Sequence, residues 1–397
     1  VTPPIWQRLV GQQHVVDELA RAVHDANAVA GAPGQGMTHA WLITGPPGSG
    51  RSTAATCFAA ALACPDDGCG ACSVCRGVPL GAFSDVEIHE TEGVNYSIDD
   101  ARALVQRSSM APTENLWHVM IVEDADRIRE EAEPVLLKAI EEPPPHTVWI
   151  LCAPSTEDIT PTIASRTRHV ALSTPTTADV TRLLIDAYGV DNALATFAAR
   201  ASQGHIGRAR ALAQDEHARR RRLEVMRLPF GLQDLGSCIV AAANLLAAAT
   251  EDQKSITDPL DEAELQQLQA QYGEPPSPAI RARIKRLASS ENKDLLARQK
   301  RRHTRVLRDQ VDRALLDVLG LFRDVLVIQL GAPQELVNEE MRPQLEQLAA
   351  RSTPVDTTRR LRAISYRRGQ MAANTSLQIL LEALMVELRD PSMARSA

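Results

Sequence analysis

Short apolar runs alternate with helix-like patterns over roughly the first 170 residues, and beyond that point only the helical period remains. AWLITG (Ala40 to Gly45), HVMIVED (His118 to Asp124) and TVWILCA (Thr147 to Ala153) have the length and apolar density of strands covered on both faces. Each is followed by a helix or turn signal, which predicts a parallel sheet with helices on both sides. From TPTTADVTRLLIDAYG (Thr174 to Gly189) a small helical unit is expected to about residue 215, with Thr177 as candidate cap for a helix opening at Asp179. The remainder, from the run RRRR at Arg219–Arg222, is helical by periodicity, most clearly in LLDVLGLFRDVLVIQL (Leu315 to Leu330) and SLQILLEALMVELRD (Ser376 to Asp390). The expected domains are therefore 1–172, 173–216 and 217–397.

Two stretches interrupt this pattern. EDQKSITDPLDEAELQQLQAQYGEPPSP (Glu251 to Pro278) is acidic at its start and Pro-rich at its end, and reads as an exposed helical insert or a linker. Directly after it, Arg281 to Arg308 carries eleven Lys/Arg against two acids. That run is either a solvated helix face or a surface near nucleic-acid phosphate.

Composition adds limits. Of 397 residues, 44% are hydrophobic, 23% charged and 3% aromatic, and Ala and Leu dominate the second half, which favours helix. A net charge of −7 argues against general nucleic-acid affinity and leaves DNA contact to a local patch or to partners. The opening VTPPIWQRLVGQQH has no basic-then-apolar order, and no run approaches the ~18 apolar residues of a span, so a cytoplasmic protein with no membrane contact is expected.

Seven cysteines are present, four of them crowded between residues 64 and 75. Cys64, Cys69, Cys72 and Cys75 give C-x4-C-x2-C-x2-C, soft ligands able to close a tetrahedral shell around Zn²⁺. An iron–sulfur cluster and free thiols are the competing readings. Zinc closed in by four cysteines would be structural. Cys57, Cys152 and Cys238 read as small buried hydrophobes.

GPPGSGRST, spanning Gly45, Pro46, Pro47, Gly48, Ser49, Gly50, Arg51, Ser52 and Thr53, follows a strand and opens an apolar helix, the context of a phosphate-binding loop. Its glycines admit backbone N–H groups to phosphate oxygens, and Ser52 is placed to ligate Mg²⁺. Arg51 stands where lysine is usual, and a wide planar guanidinium replaces a compact ammonium. ATP or ADP binding survives that exchange better than phosphoryl transfer does. Glu123 and Asp124 end the second strand in the reverse of the usual Asp–Glu order, so metal-side and water-side carboxylates exchange lengths. The bland alternative is a strand end whose acids cap the next turn. In SRTR (Ser165 to Arg168) an arginine is either an ordinary surface charge or reaches a nucleotide held by a neighbouring subunit.

VGQQHVVDEL, THAWLITGPPGSGRST, the four-cysteine module, HVMIVEDADRI, EPVLLKAIEEPPPHTVWIL, TPTIASRT and ASQGHIGRARALA occur in one order across about the first 215 residues. In this series the chain resembles the AAA+ subunits of bacterial DNA polymerase III clamp loaders, which open the sliding clamp and place it on primed DNA. The resemblance implies an α/β AAA+ P-loop domain, a helical lid and an all-helical collar for oligomerisation. It implies that Val10 and Gly11 lie near adenine, that Gly45 to Thr53 with Glu123 and Asp124 hold nucleotide, that the cysteines bind zinc, and that Arg166 is an arginine finger. It also implies partners: tau/gamma motor subunits and a delta subunit in a hetero-pentamer, the clamp, and primed DNA through the assembly.

Departures from the motor pattern refine this. Arg51, the Glu123–Asp124 order, Gly207 where a sensing arginine is usual, and Pro154–Ser155 near the usual polar pair all weaken one site, beside an intact Arg166. Such a chain resembles the stator type of subunit, which hydrolyses little ATP itself and triggers its neighbour. The alternatives are a tau/gamma motor, expected to continue into a polymerase-binding tail, and a stand-alone AAA+ DNA-remodelling ATPase.

Overall fold

The computed structural model describes residues 3–28, 36–91, 95–271, 278–371 and 375–393. Residues 272–277, the Pro-rich end of the insert, lie outside the described residues. Chain contacts divide the protein into two compact units, the first of described residues up to 91 and from 95 to 214, the second from 215 onward. The helices expected of a lid, from 177 to 214, fall in the first unit.

The first unit is built on five parallel strands: β1 Ala40–Thr44, β2 Val86–His89, β3 His118–Val122, β4 Thr147–Ala153 and β5 Arg168–Ala171, in the order β2-β3-β4-β1-β5. Around them run α1 Gln13–Ala28, α2 Arg51–Ala63, α3 Ser73–Gly77, α4 Ile98–Ser108, α5 Glu133–Glu141, α6 Pro161–Ala164, α7 Thr177–Tyr188, α8 Asn192–Ser202 and α9 Ile206–Gln214. Alternation along the strands separates two cores. Trp41, Ile43, Val119, Ile121, Val148 and Ile150 pack with α1 and α2 on one face. Ala40, Leu42, Met120, Val122, Trp149 and Leu151 pack with α4 and α5 on the other. Both faces are buried, which is why β1, β3 and β4 read as continuous apolar runs.

One expectation shifts by a residue. Thr176, not Thr177, caps α7, its hydroxyl accepting the Asp179 N–H at 3.1 Å. Thr177 is already helical.

The second unit is all-helical: α10 Glu216–Arg227, α11 Leu235–Gln271, α12 Pro278–Leu330, α13 Arg342–Arg351, α14 Pro354–Gln370 and α15 Leu377–Arg389. Along α12, Val311, Leu315, Val318, Phe322 and Val325 recur every three or four residues and face a core shared with Leu380, Leu381, Leu384 and Met385 of α15. The stretch from Glu251 to Gln271 is helix throughout, continuing α11 past Pro259.

Candidate functional site

All strands run in the same direction, so the segments leaving β1, β3 and β4 gather at one edge of the sheet. Gly45 follows β1 and donates its N–H to the Pro154 carbonyl, which follows β4, at 3.1 Å. Glu123 follows β3, and its backbone is fixed from two sides: its N–H donates to His89 O at 2.8 Å and its carbonyl accepts the Tyr96 hydroxyl at 2.8 Å. Asp124 then takes a left-handed φ of 49° as the chain turns away.

This edge joins the phosphate loop to the paired acids. The Glu123 side chain is held up from the ordinary carboxylate range, first by burial and then by Glu90 and Asp124, while a hydrogen bond from Ser52 and the Arg51 charge pull the other way. Cys152, on β4, is fully buried beside the same groups, and burial holds its thiol well above the usual value. Ser49 Oγ, Arg51 Nη1 and Glu123 Oε1 are all buried without a hydrogen-bond partner. Three orphaned polar atoms at one site are costly unless something polar completes them. A phosphate chain with Mg²⁺ offers acceptors for Arg51 and Ser49 and a cation for Glu123, so the residues fit such a group.

One contact was not legible in the sequence. Ile206, at the start of α9, donates its N–H to Gly48 O at 3.1 Å, and His205 lies over the loop. Gly48 has φ +82°, and a Cβ there would lie 2.1 Å from His205 Cγ. His205 Nδ1 accepts the Arg208 N–H at 3.2 Å, so the imidazole serves as the cap of α9. Gly207, the departure from the motor pattern's sensing arginine, is exposed.

Val10 and Gly11 follow Leu9, which touches the loop. Leu9 Cδ2 is 3.9 Å from the Cβ that Gly50 lacks, and Gly11 has φ +69° with Asp179 Oδ2 3.0 Å from its own absent Cβ. Gln12, fully buried, donates to Ser173 O at 2.6 Å and accepts the Ser173 N–H at 3.0 Å, tying this segment to the approach to α7.

Arg166 is not at this edge. The register pairs Trp41 with Arg168, so SRTR enters β5 level with the start of β1, whereas the phosphate loop leaves its end. At about 3.3 Å per residue the two lie at least about 13 Å apart along the strand. Arg168 is committed to its own unit, with Glu18 at 2.9 Å, the Gly36 carbonyl at 2.8 Å and the Trp41 ring beneath it. Arg166 is one-third exposed, its Nε donating to Glu141 at 3.1 Å and its Nη1 to Thr162 O at 2.9 Å.

The cysteines come together after α2. All four sulfurs lie within 4.8 Å of one another, and Cys64 and Cys72 are 3.8 Å apart. That matches the edge of a tetrahedron with zinc–sulfur bonds of about 2.3 Å, which is about 3.8 Å. Backbone N–H groups of Cys69, Cys72 and Cys75 donate to the sulfurs of Cys64, Cys69 and Cys72, each at 3.4 Å, so sulfur charge is stabilised. Amide hydrogen bonds from Ala71 and Cys72 bring the Cys69 thiol down to about 7. The donor set and spacing fit a closed metal site.

Comparison with known proteins bears on the first unit. Residues 26–176 match the family model described as DNA polymerase III, delta subunit. DNA polymerase III subunit gamma/tau of Mycobacterium tuberculosis is 32% identical over 172 residues, 42% of this chain and 28% of that protein. Subunit tau of Bacillus subtilis is 32% identical over 168 residues, 41% and 28% respectively. The matched segment thus spans little more than a quarter of these relatives. A Thermotoga maritima DNA polymerase III gamma subunit-related protein superposes with a TM-score of 0.39 at 16% identity, covering 94% of this chain and 98% of that one. Residues 26–176 are thus similar to the DNA polymerase III, delta subunit family model, and a stretch of 168–172 residues is similar to gamma/tau subunits.

Proposed function

We propose that this chain is a clamp-loader subunit of the delta-prime, or stator, type. In this proposal it helps place the sliding clamp on primed DNA in the cytoplasm, beside tau/gamma motors and a delta subunit. The observation that carries the reading is the separation of two halves of an ATPase. Arg166, one-third exposed and paired with Glu141, lies at one edge of the sheet, while the loop with Arg51, Glu123 and Asp124 lies at the other. A guanidinium so placed is beyond reach of its own loop and available to a phosphate on another subunit. Domains 1–172, 173–216 and 217–397 would serve as nucleotide-binding domain, lid and collar.

In its own site, Gly45 to Thr53 would hold the phosphates and Ser52 with Glu123 or Asp124 the Mg²⁺, with Val10 and Gly11 beside adenine. A bound metal ion would there neutralise phosphate charge. Arg51 adds charge but lacks the slender reach of lysine, and the exchanged acids misplace the carboxylate that would activate water. Holding nucleotide is expected, and rapid turnover is not. Zinc held by Cys64, Cys69, Cys72 and Cys75 would be structural.

The test is ATP turnover by the isolated chain and by a reconstituted loader. Negligible turnover alone, and DNA-stimulated turnover reduced at least about 10²-fold by Arg166→Ala in the assembly, are expected. Ordinary stimulation with that variant would sink the finger assignment. The relatives named gamma/tau favour a second reading, a motor subunit; brisk turnover by the isolated chain, lost in Arg51→Ala, would establish it.

A further inference from the structure

The acidic insert and the basic run, separate in sequence, are two sides of one helical hairpin. Asp261 and Glu264 of α11 face α12, where Arg302 pairs with both and His303 with Asp261. Gln299 donates to Asp261 O and to Glu264, each at 3.2 Å, and Leu295 and Gln299 are buried in the same seam. The acids of α11 therefore compensate one flank of α12.

Another flank of α12 faces solvent at Lys293 and Lys300. At about 100° per residue, Lys293, Lys300 and Arg308 fall within about 80° of one another and roughly opposite the seam residues Leu295, Gln299 and Arg302. Lys293 and Lys300 are exposed and Arg308 half-buried. They stand about 11–12 Å apart along a straight helix, a linear row of cations in a chain of net charge −7.

We infer that this flank of the hairpin is a docking surface for the phosphate backbone of duplex nucleic acid. A row of single charges at long, even spacing suits a linear polyanion, which gains by releasing its counterions. Among the described residues between Glu251 and Arg308 there is no Trp, Phe or Tyr, so these helices carry none of the stacking platforms that single-strand binders use. A backbone-reading, sequence-tolerant contact is what remains. This inference stands on the hairpin alone and does not depend on the finger assignment.

The test is fluorescence anisotropy of the full chain with a labelled 30-base-pair duplex over 50–200 mM salt. The comparison variant is Lys293→Ala/Lys300→Ala/Arg308→Ala, with its fold verified by thermal melting. Duplex binding by the native chain is expected, with the variant at least about 10-fold weaker at 50 mM salt. The slope of log K against log salt should flatten by about 2.7, three lost contacts at about 0.9 each. Unchanged affinity and slope would overturn the inference. So would tighter binding of single-stranded DNA, or of poly-glutamate at equal charge, the latter pointing to an acidic protein partner.

Discussion

At the scale of single residues, the phosphate loop is constrained by what stands over it. Gly48 and Gly50 both have left-handed φ, +82° and +102°, yet only Gly48 faces His205; nothing approaches the missing Cβ of Gly50 closer than 3.9 Å. Both alanine variants carry the conformational cost of about 1–2 kcal/mol. Gly48→Ala must also push α9 off the loop, so it is expected to destabilise by at least about 1 kcal/mol more than Gly50→Ala. Denaturant melts of the two variants decide this, and equal losses would contradict the contact. Glu123 offers a pH test. Its raised folded value means that the native chain binds more protons than the unfolded one above the ordinary carboxylate range, so its contribution falls as pH rises through that window. Glu123→Gln should therefore melt higher than the native chain at pH 7–8. The gap should close as pH falls to about 4, where both forms are neutral at this position.

At the scale of elements, legibility in the sequence followed burial. Expected strands at 40, 118 and 147 coincide with β1, β3 and β4, the three inner strands of the sheet. The edge strands β2 and β5 escaped notice because each is covered on fewer sides: Glu87, Ile88 and His89 are half-exposed, and only Val170 of β5 is buried. The four cysteines were legible by spacing, and their convergence follows from the loop they define. His205 was not, because its role arises from a contact between segments more than 150 residues apart, for which local pattern carries no signal. The cysteine module also holds the start of the chain, since Ile5 donates its N–H to Gly68 O at 3.1 Å and Trp6 is buried nearby. One zinc per chain is expected by elemental analysis. Chelation should lower the melting temperature by several degrees and shift tryptophan emission to the red, a shift that Trp6→Phe diminishes. Iron, or no metal at all, would reject the zinc assignment.

At the scale of the whole molecule, two units of different character share one chain. The second unit hides a polar knot: Arg222, 6% exposed, donates to Asp317 at 3.1 Å, to Glu340 at 3.0 Å and to Asn338. Asn338 in turn donates through its backbone and side chain to the fully buried Asp324, at 2.7 and 2.8 Å. In sequence Arg222 is the last of four arginines and looks like surface charge. Its burial is set by helices more than 90 residues away. Arg222→Ala removes one buried charged donor from two carboxylates and an amide and should cost the second unit about 3–5 kcal/mol. Calorimetry should show that loss in one transition, while chelation of the cysteine site moves the other. A single transition displaced by both treatments would show the two units melting together.

The placement of Arg166 before β5 and of the phosphate loop after β1, at opposite ends of two paired strands, gives the first unit a direction, as an arrow has a head and a tail. Units that interact through such a pair can only line up head to tail, because two heads or two tails offer nothing complementary. A member with a sound head and an impaired tail can give to the next in line and receives little from the one behind. In a row of that kind its place is fixed by which end still works.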